Sequence, residues 1–526
     1  MVKRRDRWGA ALFGALLLIA GAPSGALAVG NCSFSNGVVT VNVTGSGSVL
    51  SRSNDTIVLD GQPCGTATVN NTDTVRILKT GFEAVDFVLD LAQPFAPGAS
   101  AEAAGTSEIE FQLGLGFTLS AGFDKFEVRG STAADNYDFG VDGINLNGDA
   151  DSDVSWNLTP EFGSPILDLH VYGLNGDDVI SGRGGAGTGS ALDLPLNAFG
   201  GSGNDSLTGS DSYDILEGGP GADAIDGGDV GAEAGTNIAQ YKESTAGVNV
   251  NLTTGIGSGG DALGDTLTNI DTLFGSSFAD TLVGNTNGNA FQGFGGADQI
   301  SGFDGDDLIA YLDSPAGVHV DLASAQATGG DAQGDTFTAI ENVLGSEFED
   351  VLTGNAGANF LGGVGGDDTV EGGDGEDTIE GGHGEDHELG GAGDDYFWAG
   401  FEFDDNDVID GGDGKDYINY HGRGVSVRLS LDGQANDGDP DQNEKDNITN
   451  VEKLGACSGN DVVKGSKRND IVKAREGNDK VTGGAGNDSI DGGPGKDVID
   501  GGPGRDVCFV TKGDKTSGCE QEKRAH

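Results

Sequence analysis

The sequence is short of positive charge. Its 526 residues include 86 aspartates and glutamates but only 28 lysines and arginines, which gives a formal net charge of −58 at pH 7. Between Arg183 and Lys415, Lys242 is the only lysine or arginine. Nucleic-acid recognition depends on clustered cationic side chains, so this composition excludes nucleic acid as an electrostatic partner. Bound divalent cations would balance so many carboxylates.

Long apolar segments and catalytic motifs are also missing. After the first 28 residues no apolar run is long enough to span a membrane, so no transmembrane segment is predicted in the mature chain. The H-E-x-x-H zinc helix, the G-x-S-x-G nucleophile elbow and the G-x-x-x-x-G-K-[ST] loop are absent from the sequence. His383 and His387 have a metal-like spacing, but they lie in a glycine-rich repeat where no helix could present them together. We therefore predict that the protein is not an enzyme.

The sequence is instead rich in glycine, with 96 residues, and many of them recur in a nine-residue register. Near the C-terminus the register places one aspartate at every ninth position, at Asp461, Asp470, Asp479, Asp488, Asp497 and Asp506. A large apolar residue or a cysteine follows each aspartate by two places. With the glycines that precede the last three aspartates, the pattern is GGxGxDxUx, in which U is the apolar residue. This regular Asp-x-U spacing argues against the disorder that so much glycine would otherwise indicate.

Each position of the nonapeptide has a physical role. Glycine allows the positive φ angles and the close backbone approach of a tight turn. Aspartate adds a carboxylate to the turn carbonyl oxygens, and calcium takes six to eight oxygen ligands of this mixed kind. The x-U-x triplet is a short strand with one side chain pointing inward. Two nonapeptides then form one coil, coils stack at roughly 4.8 Å, and calcium lies between turns that are eighteen residues apart.

The same register recurs in blocks between residues 173 and 418. Asn289 and Asn359 replace the aspartate in two units, and Glu388 replaces the apolar residue in a third, so a structural role without an ion stays open for these coils. The predicted calcium-binding carboxylates are Asp178, Asp205, Asp214, Asp223, Asp280, Asp298, Asp307, Asp350, Asp368, Asp377, Asp386, Asp395, Asp416, Asp461, Asp470, Asp479, Asp488, Asp497 and Asp506.

A longer repeat is laid over the short one. Residues 241–302 align with residues 311–372 at an offset of 70, and a divergent third copy begins at Val425. Each copy starts with an alternating strand before it enters the nonapeptides. Repetition at two scales predicts a solenoid in which each unit contacts mainly its neighbours.

These repeats resemble the secreted RTX, or haemolysin-type, calcium-binding repeat proteins over residues 167–519. The resemblance implies parallel β-roll modules that are disordered without calcium and fold on binding several Ca²⁺ ions. We expect an all-β fold, a parallel β-roll or β-helix solenoid of nonapeptide repeats preceded by a small β-rich N-terminal region. The signal peptide and five cysteines depart from many RTX proteins and are more like the RTX-repeat proteins of high-GC Gram-positive bacteria. The cytolysin and protease roles of other members are therefore not carried over.

The N-terminus predicts the compartment. Cationic residues precede an apolar run at residues 10–22, and small residues end at Ala28, which indicates a secretory signal peptide. We expect a secreted, extracellular protein.

Cysteine usage fits an oxidising environment. We predict disulfides between Cys32 and Cys64 and between Cys508 and Cys519, which leaves Cys457 unpaired.

The chain divides by composition into seven segments. β-type runs separated by Asn, Gly and Asp fill residues 29–165, and we expect this region to cap the open end of the solenoid. The predicted segments are a signal peptide at 1–28, the β-rich N-terminal region at 29–165, an RTX β-roll with the first long repeat at 166–310, the second long repeat and β-roll at 311–410, the divergent third long repeat at 411–454, a C-terminal β-roll at 455–509, and a C-terminal cap and tail at 510–526.

Three functions fit this sequence. The first, which we favour, is an extracellular calcium-binding RTX-repeat protein that folds on Ca²⁺ binding and has a structural or adhesive role. Its expected partners are calcium ions and cell-surface or extracellular-matrix components. The second is a secreted hydrolase or lyase with catalytic groups in residues 29–165 and an RTX module that aids folding. The third, a membrane-active toxin, is disfavoured because no long apolar or amphipathic helix is predicted.

Overall fold

The computed structural model describes residues 31–36, 38–43, 48–72, 74–79, 86–92, 110–114, 124–146, 154–156, 167–185, 188–228, 237–399, 406–421, 423–442 and 444–524. The predicted signal peptide at 1–28 lies outside the described residues. The chain divides into two compact units, one within Trp8–Asn285 and one within Thr286–His526. In the described ranges the regular structure consists of short strands and two 3₁₀ turns, without an α-helix.

The first unit is built from strands of three to nine residues. They are β1 (Asn31–Ser35), β2 (Val38–Val43), β3 (Ser48–Ser53), β4 (Thr56–Leu59), β5 (Gln62–Thr68), β6 (Thr74–Lys79), β7 (Asp86–Asp90), β8 (Glu110–Gly114), β9 (Asp124–Arg129), β10 (Asn136–Gly140), β11 (Gly143–Asn145), β12 (Val154–Trp156), β13 (Leu167–Asn175), β14 (Val179–Ser181), β15 (Leu196–Ser202), β16 (Ser206–Thr208), β17 (Ile215–Glu217), β18 (Ala224–Asp226), β19 (Ile238–Gln240), β20 (Asn249–Asn251), β21 (Ile256–Ser258), β22 (Thr266–Thr268), β23 (Thr272–Phe274) and β24 (Thr281–Val283), with a 3₁₀ turn at Gly260–Ala262.

Parallel pairing dominates the first unit. One ladder runs in the order β3, β7, β9, β13, β15, β17, β19 and β23, and another in the order β10, β14, β16, β18 and β22. β9 pairs with β13 through Val128 and Val171, so the first ladder continues across residue 165. The seven segment limits stay predictions.

The second unit has the same kind of strand. These are β25 (Ala290–Gln292), β26 (Gln299–Ser301), β27 (Leu308–Ala310), β28 (His319–Asp321), β29 (Gln326–Thr328), β30 (Thr336–Thr338), β31 (Asn342–Leu344), β32 (Val351–Thr353), β33 (Phe360–Gly365), β34 (Thr369–Asp374), β35 (Thr378–His383), β36 (His387–Ala392), β37 (Tyr396–Trp398), β38 (Val408–Asp413), β39 (Tyr417–Asn419), β40 (Arg428–Ser430), β41 (Asn447–Thr449), β42 (Lys453–Gly455), β43 (Val462–Lys464), β44 (Ile471–Lys473), β45 (Lys480–Thr482), β46 (Ser489–Asp491), β47 (Val498–Asp500), β48 (Val507–Val510), β49 (Lys515–Ser517) and β50 (Gln521–Arg524), with a 3₁₀ turn at Gly330–Ala332.

The C-terminal strands of this unit show the coil that the nonapeptide predicts. β43 pairs in parallel with β45 through Val463 and Val481, and β44 pairs with β46 through Val472 and Ile490. Both pairs are eighteen residues apart, so two nonapeptides form one coil. The predicted parallel β-roll solenoid is confirmed.

The core follows from the period of two within each strand. In β16 and β18 the central residues, Leu207 and Ile225, are buried, and their neighbours point outward. Stacking places these apolar side chains in rows inside the coil. Burying a leucine or isoleucine in this way stabilises the fold by roughly 1.5–3 kcal/mol per side chain.

The long repeats interrupt this stacking in the same way in both units. In the first unit β20, β21 and β22 pair antiparallel as an excursion, and in the second β28, β29 and β30 do so. The chain then rejoins the parallel ladder, β18 with β22 and β26 with β30. The 70-residue offset therefore corresponds to one repeated insertion between coils.

The cysteine predictions are confirmed. Cys32 is bonded to Cys64 and Cys508 to Cys519, and Cys457 is a buried free thiol. The second disulfide links β48 to the segment before β50.

Candidate metal sites in the turns

Every predicted aspartate is buried at a turn, with no more than 2% of its surface exposed. The repeated contact is a hydrogen bond from the backbone N–H of one turn aspartate to Oδ1 of the aspartate one coil later. The distance is 2.7 Å from Asp178 to Asp205 and from Asp205 to Asp223, and 3.0 Å from Asp479 to Asp497. We call such a series a carboxylate ladder.

The ladders bring most of the predicted residues together. They are Asp178, Asp205 and Asp223 in the first unit, and in the second unit Asp350, Asp368 and Asp386; Asp377, Asp395 and Asp416; Asp461, Asp479 and Asp497; and Asp470, Asp488 and Asp506. Four others bond elsewhere. Asp214 and Asp280 accept from the backbone of Leu196 and Val248, and Asp298 and Asp307 donate to Asp335 and Glu341.

The second carboxylate oxygen divides the turns into two kinds. In the first kind, Oδ2 is buried and accepts no hydrogen bond within the described residues. These are the turns of Asp178, Asp205, Asp223, Asp368, Asp395, Asp416, Asp479, Asp488, Asp497 and Asp506. In each of them the residue four places before the aspartate has a positive φ, for example 98° at Gly201 and 109° at Gly484. We call these the left-handed turns.

Three left-handed turns keep this backbone without glycine. Leu174, Val364 and Arg475 hold φ angles of 79°, 86° and 70° at the same position. A non-glycine residue in this region costs on the order of 1–3 kcal/mol, and for β-branched valine the conformation is unusual. The left-handed backbone conformation is therefore kept at these three positions despite its energetic cost, which indicates that the conformation has a function.

In the second kind of turn a serine bonds the carboxylate. Ser210 donates its N–H to Oδ2 and its hydroxyl to Oδ1 of Asp214, at 2.8 Å and 2.7 Å. The same serine contact is made to Asp280, Asp350 and Asp470 by the residue four places earlier. We call these the serine turns. At Asp461 the backbone N–H of Cys457 supplies the bond to Oδ2, at 3.1 Å.

The first glycine of a turn is required by close approach. A Cβ on Gly200 would lie 2.4 Å from Oδ2 of Asp205 and 2.8 Å from the carbonyl oxygen of Gly218 in the next coil. On Gly483 it would lie 2.5 Å from Oδ2 of Asp488 and 2.6 Å from the carbonyl oxygen of Gly501. Within the described residues, a carboxylate oxygen that accepts no hydrogen bond and a carbonyl oxygen from the adjacent coil thus flank the same glycine. Hard oxygen ligands of this kind suit calcium, so these residues fit the ion.

Burial and mutual repulsion disfavour ionisation of the turn carboxylates. Burial raises the pKa of Asp479 to about 7, and the neighbouring carboxylates of Asp461 and Asp497 act in the same direction. For Asp368 burial is again the main cause, and with Asp386 and Asp350 on either side its pKa reaches about 9. A bound divalent cation would reverse this balance by favouring the charged carboxylates.

Several carboxylates that end or interrupt the ladders were missed by the sequence reasoning. Asp265, Asp335 and Asp446 accept from the backbone N–H of Asp223, Asp298 and Asp407. Glu341, Glu452, Asp514 and Glu520 accept in the same way from Asp307, Asp416, Asp497 and Asp506. The 70-residue alignment of Asp265 with Asp335 was the signal that could have found the first two. Glu341 and Glu452 each lie nine residues before a predicted aspartate, Asp350 and Asp461, so the register itself was a signal for them, whereas Glu520 falls outside it.

A family model of the RTX calcium-binding nonapeptide repeat matches residues 170–188, 199–229, 266–293, 336–370, 362–397, 458–490 and 475–508. The chain carries RTX calcium-binding nonapeptide repeats in these ranges. The matched ranges include turns of both kinds and support calcium binding by the RTX repeats. A comparison with curated proteins found no match.

Two further observations concern the described residues alone. No cluster of three or more His, Cys, Asp or Glu side chains that could hold a metal ion occurs there. No helix in the same ranges has the length and hydropathy to cross a membrane.

Proposed function

We propose that this protein is an extracellular calcium-binding protein whose RTX repeats fold when their turns take up Ca²⁺. The observation that carries the proposal is the buried Oδ2 of the left-handed turns, which lacks a donor within the described residues. A buried carboxylate oxygen without a partner costs on the order of 1–3 kcal/mol or more, and a series of them needs compensation. Cations from the chain are scarce, since Lys242 is the only lysine or arginine between Arg183 and Lys415.

The proposed ligands are the aspartates of the left-handed turns together with carbonyl oxygens of the turn glycines. Beside Asp205 we propose the carbonyl oxygen of Gly218, and beside Asp488 that of Gly501, because each approaches the same glycine as Oδ2 of the aspartate. Calcium would supply the positive charge that these ladders lack. Asp298, Asp307, Asp377 and Asp386 follow a residue with positive φ in the same position, and we include them among the proposed ligands.

The proposed role is structural or adhesive rather than enzymatic. Its support is the repetition of the left-handed turn along the chain, as in repeat proteins whose units contact mainly their neighbours. The proposed partners are cell-surface or extracellular-matrix components. Turnover of polysaccharide, lipid or peptide substrates by the purified protein would contradict this role, and calcium-dependent retention on cells without turnover is the expected result.

Secretion and the segment limits complete the proposal. The two disulfides fit an oxidising compartment. N-terminal sequencing of protein from the culture medium should begin at Val29. Limited proteolysis in calcium should cut near the proposed limits of the segments, at 165, 310, 410, 454 and 509.

Counting bound ions tests the calcium assignment. Equilibrium dialysis at increasing calcium should reach a plateau of many ions per chain, with magnesium a poor competitor because it requires a smaller octahedral site. A plateau near zero would refute the proposed function.

A further inference from the structure

In some RTX turns, serine N–H and hydroxyl groups donate to the carboxylate of the aspartate. In the serine turn of Asp350, the N–H of Ser346 donates to Oδ2 and its hydroxyl to Oδ1 at 3.0 Å. The backbone N–H of Val318 also donates to Oδ1, at 2.6 Å. This carboxylate therefore has three donors from the protein, whereas Asp368 in the next coil has no donor at Oδ2 within the described residues.

Where the long repeats interrupt the coils, tyrosine hydroxyls donate to Oδ2 of an aspartate. Tyr241 donates its hydroxyl to Oδ2 of Asp265, and Tyr311 to Oδ2 of Asp335, both at 3.0 Å. Tyr420 bonds Asp446 at 2.6 Å.

Oδ1 of each of these three aspartates accepts the ladder hydrogen bond from the preceding coil, from the N–H of Asp223, Asp298 and Asp407. The tyrosines are buried, with no more than 1% of their surface exposed. Each pair thus continues a ladder across an insertion and uses a hydroxyl at the second oxygen.

We infer that a protein donor at Oδ2 decides which carboxylates take calcium: the serine N–H in the serine turns and the tyrosine hydroxyl in the Tyr–Asp pairs exclude the ion. On this inference, which rests on the proposed function, the left-handed turns bind Ca²⁺, and the serine turns and the Tyr–Asp pairs hold their coils together without it. The residue four places before the aspartate is the determinant in the nonapeptides. When it has a positive φ its N–H points elsewhere, as at Gly201, whose N–H donates to the carbonyl oxygen of Gly218.

The third glycine of the nonapeptide is present in the left-handed turns and absent from the serine turns. Left-handed turns have glycine two places before the aspartate, for example Gly486 and Gly495, whereas the serine turns have Ser212, Phe278, Phe348 and Arg468. A Cβ on Gly495 would lie 1.6 Å from the carbonyl oxygen of Gly477, so the left-handed turns pack too closely for any side chain there. The serine turns therefore lack both the positive φ four places before the aspartate and the glycine two places before it.

A matched pair of substitutions on one ladder tests the inference. Asp470 belongs to a serine turn and Asp488 to a left-handed turn, and the N–H of Asp470 donates to Oδ1 of Asp488 at 2.9 Å. Asparagine is compatible with this position, because Asn359 already occupies it and its N–H donates to Asp377 at 2.8 Å. We expect Asp488→Asn to lose at least one bound ion per chain and Asp470→Asn to lose none, by equilibrium dialysis of the full-length secreted protein with ⁴⁵Ca. Far-UV circular dichroism in saturating calcium checks that both variants fold.

A gain of binding provides the second test. Ser466→Gly with Arg468→Gly gives the turn of Asp470 the glycines of a left-handed turn, and we expect one additional ion per chain. Ser466→Ala, which removes the hydroxyl but disfavours a positive φ, should add none.

The outcomes separate the inference from the proposed function. Equal loss from both asparagine variants, or no gain in the glycine variant, overturns the inference while calcium binding by the wild type stands. A wild-type protein that binds no calcium overturns both.

Discussion

Replacing Asp479 and Asp497 together by asparagine is expected to change the stability of the C-terminal coils in opposite directions with and without calcium. In calcium, each lost site removes RT ln(1 + [L]/Kd), which is roughly 1.4 kcal/mol at ten times Kd and about 3 kcal/mol for two sites. The ladder bonds at 2.8 Å and 3.0 Å survive, because the asparagine oxygen can still accept them. The loss therefore reports on the ion alone.

In chelator the same double substitution should raise the stability of the C-terminal coils instead of lowering it. Burial and the flanking carboxylates raise the pKa of Asp479 to about 7, and burial raises the pKa of Asp497 as well. A group whose folded-state pKa is raised stabilises the fold below its unfolded pKa and loses that contribution as pH rises through the folded value. At pH 8, above the raised pKa of Asp479, the ionised form of this buried carboxylate costs stability beside Asp461 and Asp497, so neutral asparagines should stabilise the coils.

Hydrogen–deuterium exchange at β45 and β47 measures both effects. The opening free energy of these strands should fall by about 3 kcal/mol in calcium at ten times Kd, whereas the lower residual protection that they keep in EGTA at pH 8 should rise. Asp500→Asn, an exposed position on β47, is the matched control and should change neither value. A decrease of similar size in both conditions would refute the reasoning, since it would make the aspartates ordinary structural residues.

Three other predictions follow from the turns. Burial raises the pKa of Asp416 to about 7, so the fold in chelator should be most stable in acid and should lose stability as pH rises from 5 to 8. Far-UV circular dichroism in chelator should show this as a falling β signal, and a pH-independent signal would contradict it. Gly483→Ala should destabilise by about 1–3 kcal/mol because its Cβ would clash, whereas Gly424→Ala, with nothing within 4 Å, should be neutral in the same denaturation assay. Tyr311→Phe removes the hydroxyl donor to Oδ2 of Asp335 and should lower the free energy of unfolding by about 1–3 kcal/mol, equally with and without calcium. A loss of stability only in chelator would show that an ion can replace the hydroxyl.

The nonapeptide register predicted much of this fold. The eighteen-residue spacing of Val463 and Val481 is the length of one coil, and the GGxGxD pattern places the aspartates in buried turns. Periodicity is a local signal, and stacked coils repeat the same local contact, so sequence and structure agree there.

The rest depended on contacts that span an insertion. Asp223 and Asp265 are 42 residues apart and meet only because β20 to β22 form an excursion between two stacked coils. The role of Ser346 was equally hidden, because a serine beside glycine looks like a conservative change in a repeat. Only the position of its N–H and hydroxyl on Asp350 shows that it alters the site.

The most direct test of calcium-coupled folding is a calcium titration of the secreted protein by far-UV circular dichroism at pH 8, with EGTA and magnesium controls. Calcium-coupled folding predicts a cooperative gain of β signal with calcium and little gain with magnesium. A β signal that is already complete in EGTA, and unchanged by calcium, would contradict it.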